Sequence, residues 1–538
     1  MTKDFIEGLF SYELEAQFEK MPDFEVITFD NGEFADEAVT YADLYLKGCK
    51  LARTLTNADI GKGDRFSLVM RNHPEFLYAM VAASLTGAII VSIDPRSKGG
   101  KLSYQIRDSG SKGIFLTNEF TPDVEAVLKE TPDVKVLGIS YKDGFEEPIN
   151  DRYPNLNEII DGPPSPPPDN RNRDANSPFQ IIYTSGTTGD PKGVVIKSHR
   201  MPMFKLLAQL IWQYTENDKL YTGLSLTHGN AQAVTVVPSL MLGIPSVISR
   251  KFTKSRIWDI CRKHGATSFS LLGGMMMGIY SEPARGNDGD NPVRLVLSAG
   301  TPAPIWNDFE RRFNVKIHEW YGAIEGGFAH NPPGTGPIGS FGKPIEGIME
   351  MQVVRDDDSE CEPGETGELI SRTIGAKEEV LYHGKKGASE EKTRGGWLRT
   401  GDMCHRDEEG WLYFDFRKGG GLRRQGDFIQ PETIEKVLAE LPEVSDVCAY
   451  GIPAESGAPG ESDIVAAIVP VAGMTIVPET IFEALSSGLD NNSVPSYLQV
   501  VDEIPKTASE KNLDRILRDD FAKEAPNIHA LSDYRHQA

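Results

Sequence analysis

Between Arg65 and Thr117 the chain alternates short apolar runs with helix-like stretches, and this alternation limits its fold more than any other feature. "RFSLVM" (Arg65 to Met70) reads as a buried strand. "PEFLYAMVAASLTG" follows, with Pro74 suited to a first helical turn and Gly87 placed as a terminator. "AIIVSI" is a second strand, "KLSYQIRDSG" a second helix and "KGIFLT" a third strand. A β-α-β-α-β order implies a parallel sheet with helices on its faces, so the expected class is α/β. At 538 residues the chain is too long for one compact core. Two or more domains are expected, one of them large and composite.

Several function classes are disfavoured early. No G-x-G-x-x-G follows the strand ending at Met70, where the chain continues "RNHPE", so a dinucleotide-binding Rossmann reading loses its main support. The chain carries 56 basic and 79 acidic residues, a net charge of −23, which argues against a nucleic-acid surface. No apolar run approaches the roughly 20 residues that span a bilayer. The N-terminal "MTKDFIEGLFSYELEAQ" carries acids where a secretory signal carries basic and then apolar residues, and "SDYRHQA" offers no lipidation or peroxisomal signal. The expected location is cytoplasmic. Five cysteines, widely spaced and odd in number, disfavour a disulfide framework and a thiolate zinc site; reduced, mostly buried thiols are expected. The ten histidines form no H-x-x-x-H pair, so any metal is expected to arrive with a substrate.

Proline-rich "DGPPSPPPDN" (Asp161 to Asn170) reads as a stiff surface connection. The last fifth reads as a smaller unit. In it "ETIEKVLAEL" places Ile434, Val437, Leu438 and Leu441 on one helical face, "VSDVCAYGI" and "DIVAAIVPV" read as strands, and "PETIFEALSSGL" is a second helix. The glycine-rich "FRKGGGLRRQGD" marks the boundary, dividing residues 1–416 from 417–538. Its three consecutive glycines suit a hinge.

The stretch "IIYTSGTTGDPKGVV" (Ile181 to Val195) sets glycines, hydroxyl residues and one lysine between two strand-like runs. Such a loop turns backbone N–H groups and hydroxyls inward as an anion cradle, with Lys192 adding a point charge. It is not a Walker A loop, because Pro191 stands where that pattern needs glycine and Gly193 follows the lysine. The flanking runs suggest strand, loop, strand.

Tyr183 to Gly193 resembles the phosphate loop of the adenylate-forming (AMP-binding) superfamily, which includes acyl-CoA synthetases, peptide-synthetase adenylation domains and luciferases. The resemblance continues in order through "EWYGAIEGG" (Glu319 to Gly327), "GETGEL" (Gly364 to Leu369), "WLRTGD" (Trp397 to Asp402), the "FRKGGGLRRQGDFIQPETIE" junction and "PKTASEKNLDR". It implies a large N-terminal adenylation domain of helix-covered parallel sheets, followed by a small mobile α+β domain with a lysine loop. It also implies a carboxylate–CoA ligase. A carboxylate attacks the α-phosphorus of ATP to give acyl-AMP and pyrophosphate, and the thiol of coenzyme A then displaces AMP. By this likeness Thr184, Ser185, Gly186, Thr187, Thr188 and Lys192 hold the β and γ phosphates, and Glu325 ligates Mg²⁺. Tyr321 lies against adenine, Asp402 accepts from the ribose hydroxyls, and Arg417 meets the ribose and phosphate side. Lys511 bridges the carboxylate and the α-phosphate during adenylation. Such chemistry relies on positioned cations and donors.

"LSLTHGNAQAV" falls at the acyl pocket of the family, with His228 in the histidine position and Asn230 and Gln232 suited to a polar acyl group. "SLLGGMMMGIY" resembles a pocket wall in which Gly273 and Gly274 leave room and Met275 to Met277 adapt. "LSAGTPAP" resembles the pocket floor and adenine edge, through Ala299, Gly300 and Thr301, and Gly322 is a further candidate beside the acid. "THGNAQ", the glycine junction and "PKTASEK" look most like carnitine- and crotonobetaine-type CoA ligases. Three departures stand out. Ile324 replaces a threonine before the glutamate, Gly420 stands at the hinge, and Glu510 replaces a glycine before the lysine. Arg423 and Arg424 are placed to meet CoA phosphates. Three classes remain: a CoA ligase, a stand-alone adenylation protein loading a carrier, and a non-catalytic nucleotide-binding homologue. The partners implied are a carboxylic acid, ATP and CoA, and the resemblance leaves a homodimer open.

Overall fold

The computed structural model describes residues 9–144, 151–184, 191–418, 422–424, 427–454, 462–489, 493–507 and 512–534. The chain forms two compact units: Met1–Leu271 with Asp290–Leu297 and Glu379–Glu391, and Leu272–Gly289 with Ser298–Glu378 and Lys392–Ala538.

The first unit contains the sheet read from the sequence. Its strands are β1 (Arg65–Val69), β2 (Ile89–Ser92), β3 (Ser111–Thr117), β4 (Lys135–Ser140), β5 (Pro178–Thr184) and β6 (Lys192–Lys197). They hydrogen-bond in the order β4-β3-β1-β2-β5-β6, parallel throughout except for the antiparallel β5–β6 pair. The helix Pro74–Thr86 connects β1 to β2 with proline in its first turn, and Gly87 ends it at φ 74°, a backbone conformation that side chains with a Cβ resist. Every residue of this helix is buried. The helix Tyr41–Asn57 packs on it, and a Cβ at Gly48 would lie 2.5 Å from Val81, so glycine permits the approach. Val69, Ile89, Val91, Ile114, Leu116, Ile139 and Ile181 from the sheet pack with Leu102, Ile106, Val124 and Val127 from its helices. Fully burying each large aliphatic side chain contributes about 1.5–3 kcal/mol.

Further strands of this unit pair in the order Ser268–Leu272, Leu220–Thr222, Ser246–Ser249, Glu25–Asp30 and Glu37–Thr40, with the last antiparallel. Asp30, Asp36 and His264 converge near the end of this sheet. The Lys263 ammonium lies 3.2 Å from Asp30 and 2.8 Å from Asp36, supplying the cation that two carboxylates demand.

In the second unit β7 (Lys316–Ala323) and β8 (Gly326–Asn331) form a hairpin in which Tyr321 faces Ala329. An antiparallel sheet follows in the order β9 (Met349–Val354), β10 (Gly367–Thr373), β11 (Leu398–Arg406) and β12 (Leu412–Arg417). After it come β13 (Val444–Pro453), β14 (Ser462–Pro470), β15 (Tyr497–Val500) and β16 (Ile528–Ala530), adjacent in that order with only β14–β15 parallel. The helices Pro431–Ala439 and Pro478–Gly488 cover this sheet. Ile434, Leu438, Ile481, Phe482 and Leu485 are buried against Ile464, Ile468 and Leu498, while Val437 and Leu441 are partly buried beside them. The chain is mixed α/β with parallel sheets and a smaller C-terminal α+β part. The glycines 419–421 lie outside the described residues, and the proline-rich stretch after Asp161 forms no strand or helix. All five cysteines are buried free thiols. No helix among the described residues is long and apolar enough to cross a membrane.

Candidate active site

In the first unit β5 and β6 pair as far as Thr184↔Lys192, so the quoted loop joins two antiparallel strands. Ser185, Gly186, Thr187 and Thr188 lie outside the described residues, and Thr184 is described through its backbone alone. The stem beneath the loop is tied from both sides. The Tyr183 hydroxyl donates to Asp108 Oδ2 at 2.7 Å, and the Tyr104 hydroxyl lies 3.2 Å from both Asp108 Oδ1 and the Pro191 carbonyl. Burial, and then Asp108, push the Tyr183 phenol far above its ordinary range, so it acts as a donor. Lys192 Nζ stands 5.3 Å over the Tyr382 ring.

His228 and Asn230 lie in the same unit, before a π-helical turn spanning Ala231–Val236, a local geometry that recurs at functional sites. Asn72 holds the approach to them. Its amide donates to the Leu224 carbonyl at 2.9 Å and the Ser249 carbonyl at 2.8 Å, and it accepts from the Leu226 N–H at 2.8 Å. The two amides expected at the acyl group differ in their bonding. Gln232 donates to the Leu226 carbonyl at 2.7 Å and is a structural brace, whereas both polar atoms of the Asn230 amide are buried without a hydrogen-bond partner. An amide in that state favours a ligand that supplies the missing bonds.

In the second unit Ala299 ends the strand Leu295–Ala299, and the chain turns at Gly300, whose φ of 81° requires glycine. A Cβ at Gly273 would lie 1.9 Å from the Gly300 carbonyl oxygen. The room expected at Gly273 is therefore taken by backbone, and glycine there lets the helix Gly273–Tyr280 meet the turn. Met275 and Met276 are buried, and Met277 is half-buried. Glu319 on β7 holds the same turn. Its carboxylate accepts from the Gly300 N–H at 2.6 Å, the Thr301 N–H at 3.1 Å and the Thr301 hydroxyl at 2.5 Å. Burial outweighs these donors and carries the Glu319 carboxyl up to about 7.

Two residues further along β7, the Tyr321 hydroxyl donates to Asp402 Oδ2 at 2.5 Å, and its ring lies 4.7 Å from that of Phe341. Burial and the Asp402 charge raise the Tyr321 phenol well above its ordinary range. Asp402 is 5 % exposed and sits on β11 opposite Arg417 of β12. Gly322 pairs with Phe328, and Ile324 and Glu325 form the turn between β7 and β8. The structure thus gathers Ala299, Gly300, Thr301, Tyr321, Gly322 and Asp402 around β7, with Arg417 in register. An aromatic ring, a carboxylate and a turn of exposed backbone suit a flat heterocycle carrying hydroxyls. Lys511, Gly420 and Glu510 lie outside the described residues. Arg424 donates to the Val494 carbonyl at 2.5 Å, and the Arg423 side chain is not described.

Sequence reasoning missed Glu319, Asn72 and Tyr382. Glu319 stands inside a quoted motif, yet only its burial separates it from an ordinary strand acid. Asn72 is one of many polar loop residues until its three partners are seen.

The AMP-binding enzyme family profile matches residues 14–376, and that of the AMP-binding enzyme C-terminal domain matches residues 433–511. A medium/long-chain-fatty-acid–CoA ligase, FadD17 of Mycobacterium marinum, is 28% identical over 493 residues, covering 90% of this chain and 92% of its own. The crystal structure of the anthranilate CoA ligase AuaEII with anthranoyl-AMP is similar at a TM-score of 0.80 and 21% identity, covering 95% of this chain and 96% of that one. The o-succinylbenzoate CoA synthetase MenE of Bacillus subtilis, with ATP and a magnesium ion, is similar at a TM-score of 0.76 and 23% identity, over 94% and 98%. The chain belongs to the AMP-binding enzyme family.

Proposed function

We propose that this protein is an AMP-forming carboxylate–CoA ligase acting on an acid with an apolar or aromatic acyl part. The observation that carries the nucleotide half is the cluster around β7: Tyr321 bonded to Asp402, with Glu319 holding the Gly300–Thr301 turn. In this reading adenine lies along Gly300, Thr301 and Tyr321, and Asp402 and Arg417 serve the ribose. Thr184, Ser185, Gly186, Thr187, Thr188 and Lys192 take the β and γ phosphates. The carboxylate of Glu325, a hard oxygen donor in a tight turn, would hold the Mg²⁺ that arrives with ATP. Bound there, the ion offsets triphosphate charge. His228, Asn230, Gly274, Ala299, Gly300 and Gly322 border the acid, while Gly273 serves the contact between its helix and the Gly300 turn.

In the first step a carboxylate oxygen forms a bond to the α-phosphorus, the bond to the departing pyrophosphate oxygen breaks, and Lys511 steadies both anions. In the second step the CoA sulfur bonds to the acyl carbon, AMP leaves with its oxygen, and the thiol proton passes to solvent. We also propose that residues 417–538 form a mobile domain that presents Lys511 in the first step only, and that the enzyme is cytoplasmic. The names of the relatives favour free CoA over a carrier protein, and the names of curated relatives, a fatty-acid–CoA ligase and a steroid-22-oyl-CoA synthetase among them, favour an apolar acid. The carnitine-type likeness stays an expectation of the sequence.

The test is pyrophosphate release with Mg-ATP over a panel of medium- and long-chain fatty acids, a steroid side-chain acid, benzoate, anthranilate and a betaine, each with and without CoA. One group of acids is expected to give CoA-dependent AMP release, and Lys511→Ala to lose pyrophosphate release while still converting preformed acyl-AMP. Pyrophosphate release from no acid, with ATP still bound, would move the protein to a non-catalytic binder.

A further inference from the structure

The segment Glu379–Glu391 belongs to the first unit although the sequence on both sides of it belongs to the second. It lies along β6, the edge strand of its sheet. The Val195 N–H donates to the Leu381 carbonyl and the His383 N–H donates to the Gly193 carbonyl, both at 2.8 Å, around an antiparallel bridge between Val194 and Tyr382. The segment covers an edge that would otherwise expose unpaired backbone groups. It is braced internally, because the Tyr382 N–H donates to Ser389 Oγ at 2.9 Å and the Lys385 N–H donates to the Tyr382 carbonyl at 3.1 Å. One end is pinned by the Lys197–Glu379 ion pair. At the other, Lys385 Nζ donates at 3.1 Å to the Tyr104 hydroxyl, the group that also lies 3.2 Å from the Pro191 carbonyl.

We propose that this strap positions the phosphate lysine, with the Tyr382 ring holding the Lys192 ammonium at the loop stem and Lys385, through Tyr104, fixing Pro191 beside it. The inference rests on Lys192 serving the ATP phosphates. Tyr382 is 8 % exposed and 5.3 Å from Lys192 Nζ, whereas Lys192 itself is exposed. A free lysine samples many rotamers, and ordering it on binding opposes affinity. A ring that already holds the ammonium removes part of that cost through a cation–π contact. Tyr382 is a positioning residue, since it acts through Lys192. The strap also explains why this short stretch folds away from its sequence neighbours.

Calorimetric titration of the full chain with Mg-ATP and, separately, with AMP tests the inference without knowledge of the acid. AMP lacks the β and γ phosphates. Tyr382→Leu is expected to weaken Mg-ATP about three- to fivefold and to leave AMP within about twofold, which also reports correct folding. Tyr382→Phe keeps the π face and is expected to bind as the wild type does. Lys192→Met should weaken Mg-ATP further, and Tyr382→Leu added to it should change nothing more. Tyr382→Met, flexible and without a π face, serves the same purpose if the leucine variant does not fold. Equal losses for AMP and Mg-ATP, a phenylalanine variant as weak as the leucine, or full additivity with Lys192→Met would each overturn the inference. If Lys192→Met weakens Mg-ATP and Tyr382→Leu does not, the strap inference alone fails. If Lys192→Met has no effect, the phosphate-site reading fails and takes the inference with it.

Discussion

Glu319→Gln isolates the most heavily bonded carboxylate near the proposed nucleotide site. Glu319 is 2 % exposed, and its two oxygens accept three hydrogen bonds from Gly300 and Thr301. Burial carries the carboxyl from its ordinary 4.5 up to about 7. A carboxyl whose folded pKa lies above its unfolded value binds its proton more tightly when folded. Its contribution to stability is therefore full below pH 4.5, declines between 4.5 and 7, and levels off above 7. Integrating between these two values, the stability lost from pH 5 to pH 8 is about 2.5 kcal/mol. Glutamine cannot titrate, so the stability difference between Glu319→Gln and wild type should move by that amount in the variant's favour across the window. A second, pH-independent effect acts in the opposite direction. The amide offers a single acceptor oxygen, so one N–H of the turn faces the Nε2 group and loses its partner, costing about 1–3 kcal/mol. Urea unfolding of both proteins at pH 5, 6, 7 and 8 separates the two effects. The transition to compare is that of the second unit, which holds Glu319, because a chain of two units need not unfold in one step. A difference that stays constant within about 0.5 kcal/mol from pH 5 to pH 8 would refute the reasoning, whatever its sign.

Asp402→Asn should weaken AMP about 10- to 100-fold by calorimetry, as expected where a carboxylate accepts charge-assisted bonds from a diol. The Tyr321 hydroxyl keeps an acceptor in the amide oxygen, so the unfolding midpoint should move little, and an AMP affinity within about twofold of wild type would remove Asp402 from the ribose site. Gly273→Ala sets a Cβ 1.9 Å from the Gly300 carbonyl oxygen, so the helix or the turn must shift at a cost of about 1–3 kcal/mol in chemical denaturation. A fully stable alanine variant would show that the turn has room to spare.

What was legible in the sequence and what was not divides along a physical line. The β1–β2–β3 crossovers could be read because their signals are local: Pro74 opens a helix, Gly87 and Gly110 end two of them in the left-handed conformation, and the apolar runs between are short and uninterrupted. The residues of the proposed chemistry could be named for a related reason, since Tyr321, Asp402 and Arg417 sit at set places in ordered motifs. The structure then joins Tyr321 to Asp402 across 81 residues and sets Asp402 opposite Arg417. Residues that hold others in place carry no such mark. Strand β7 buries Ile317 to Trp320 without alternation, so nothing in "KIHEWYGA" distinguishes Glu319 from a solvated acid until Thr301, 18 residues earlier, is found against it. Asn230 and Gln232 look equivalent as text, and only the Leu226 carbonyl assigns one to the fold and leaves the other's polar atoms without a partner. The strap is the extreme case, with Glu379 meeting Lys197 across 182 residues and Lys385 meeting Tyr104 across 281. Periodicity and motif spacing report what a residue does with its neighbours in sequence. A positioning residue is defined by a partner far along the chain, so its identity waits on the fold even where the chemistry it supports can be named in advance.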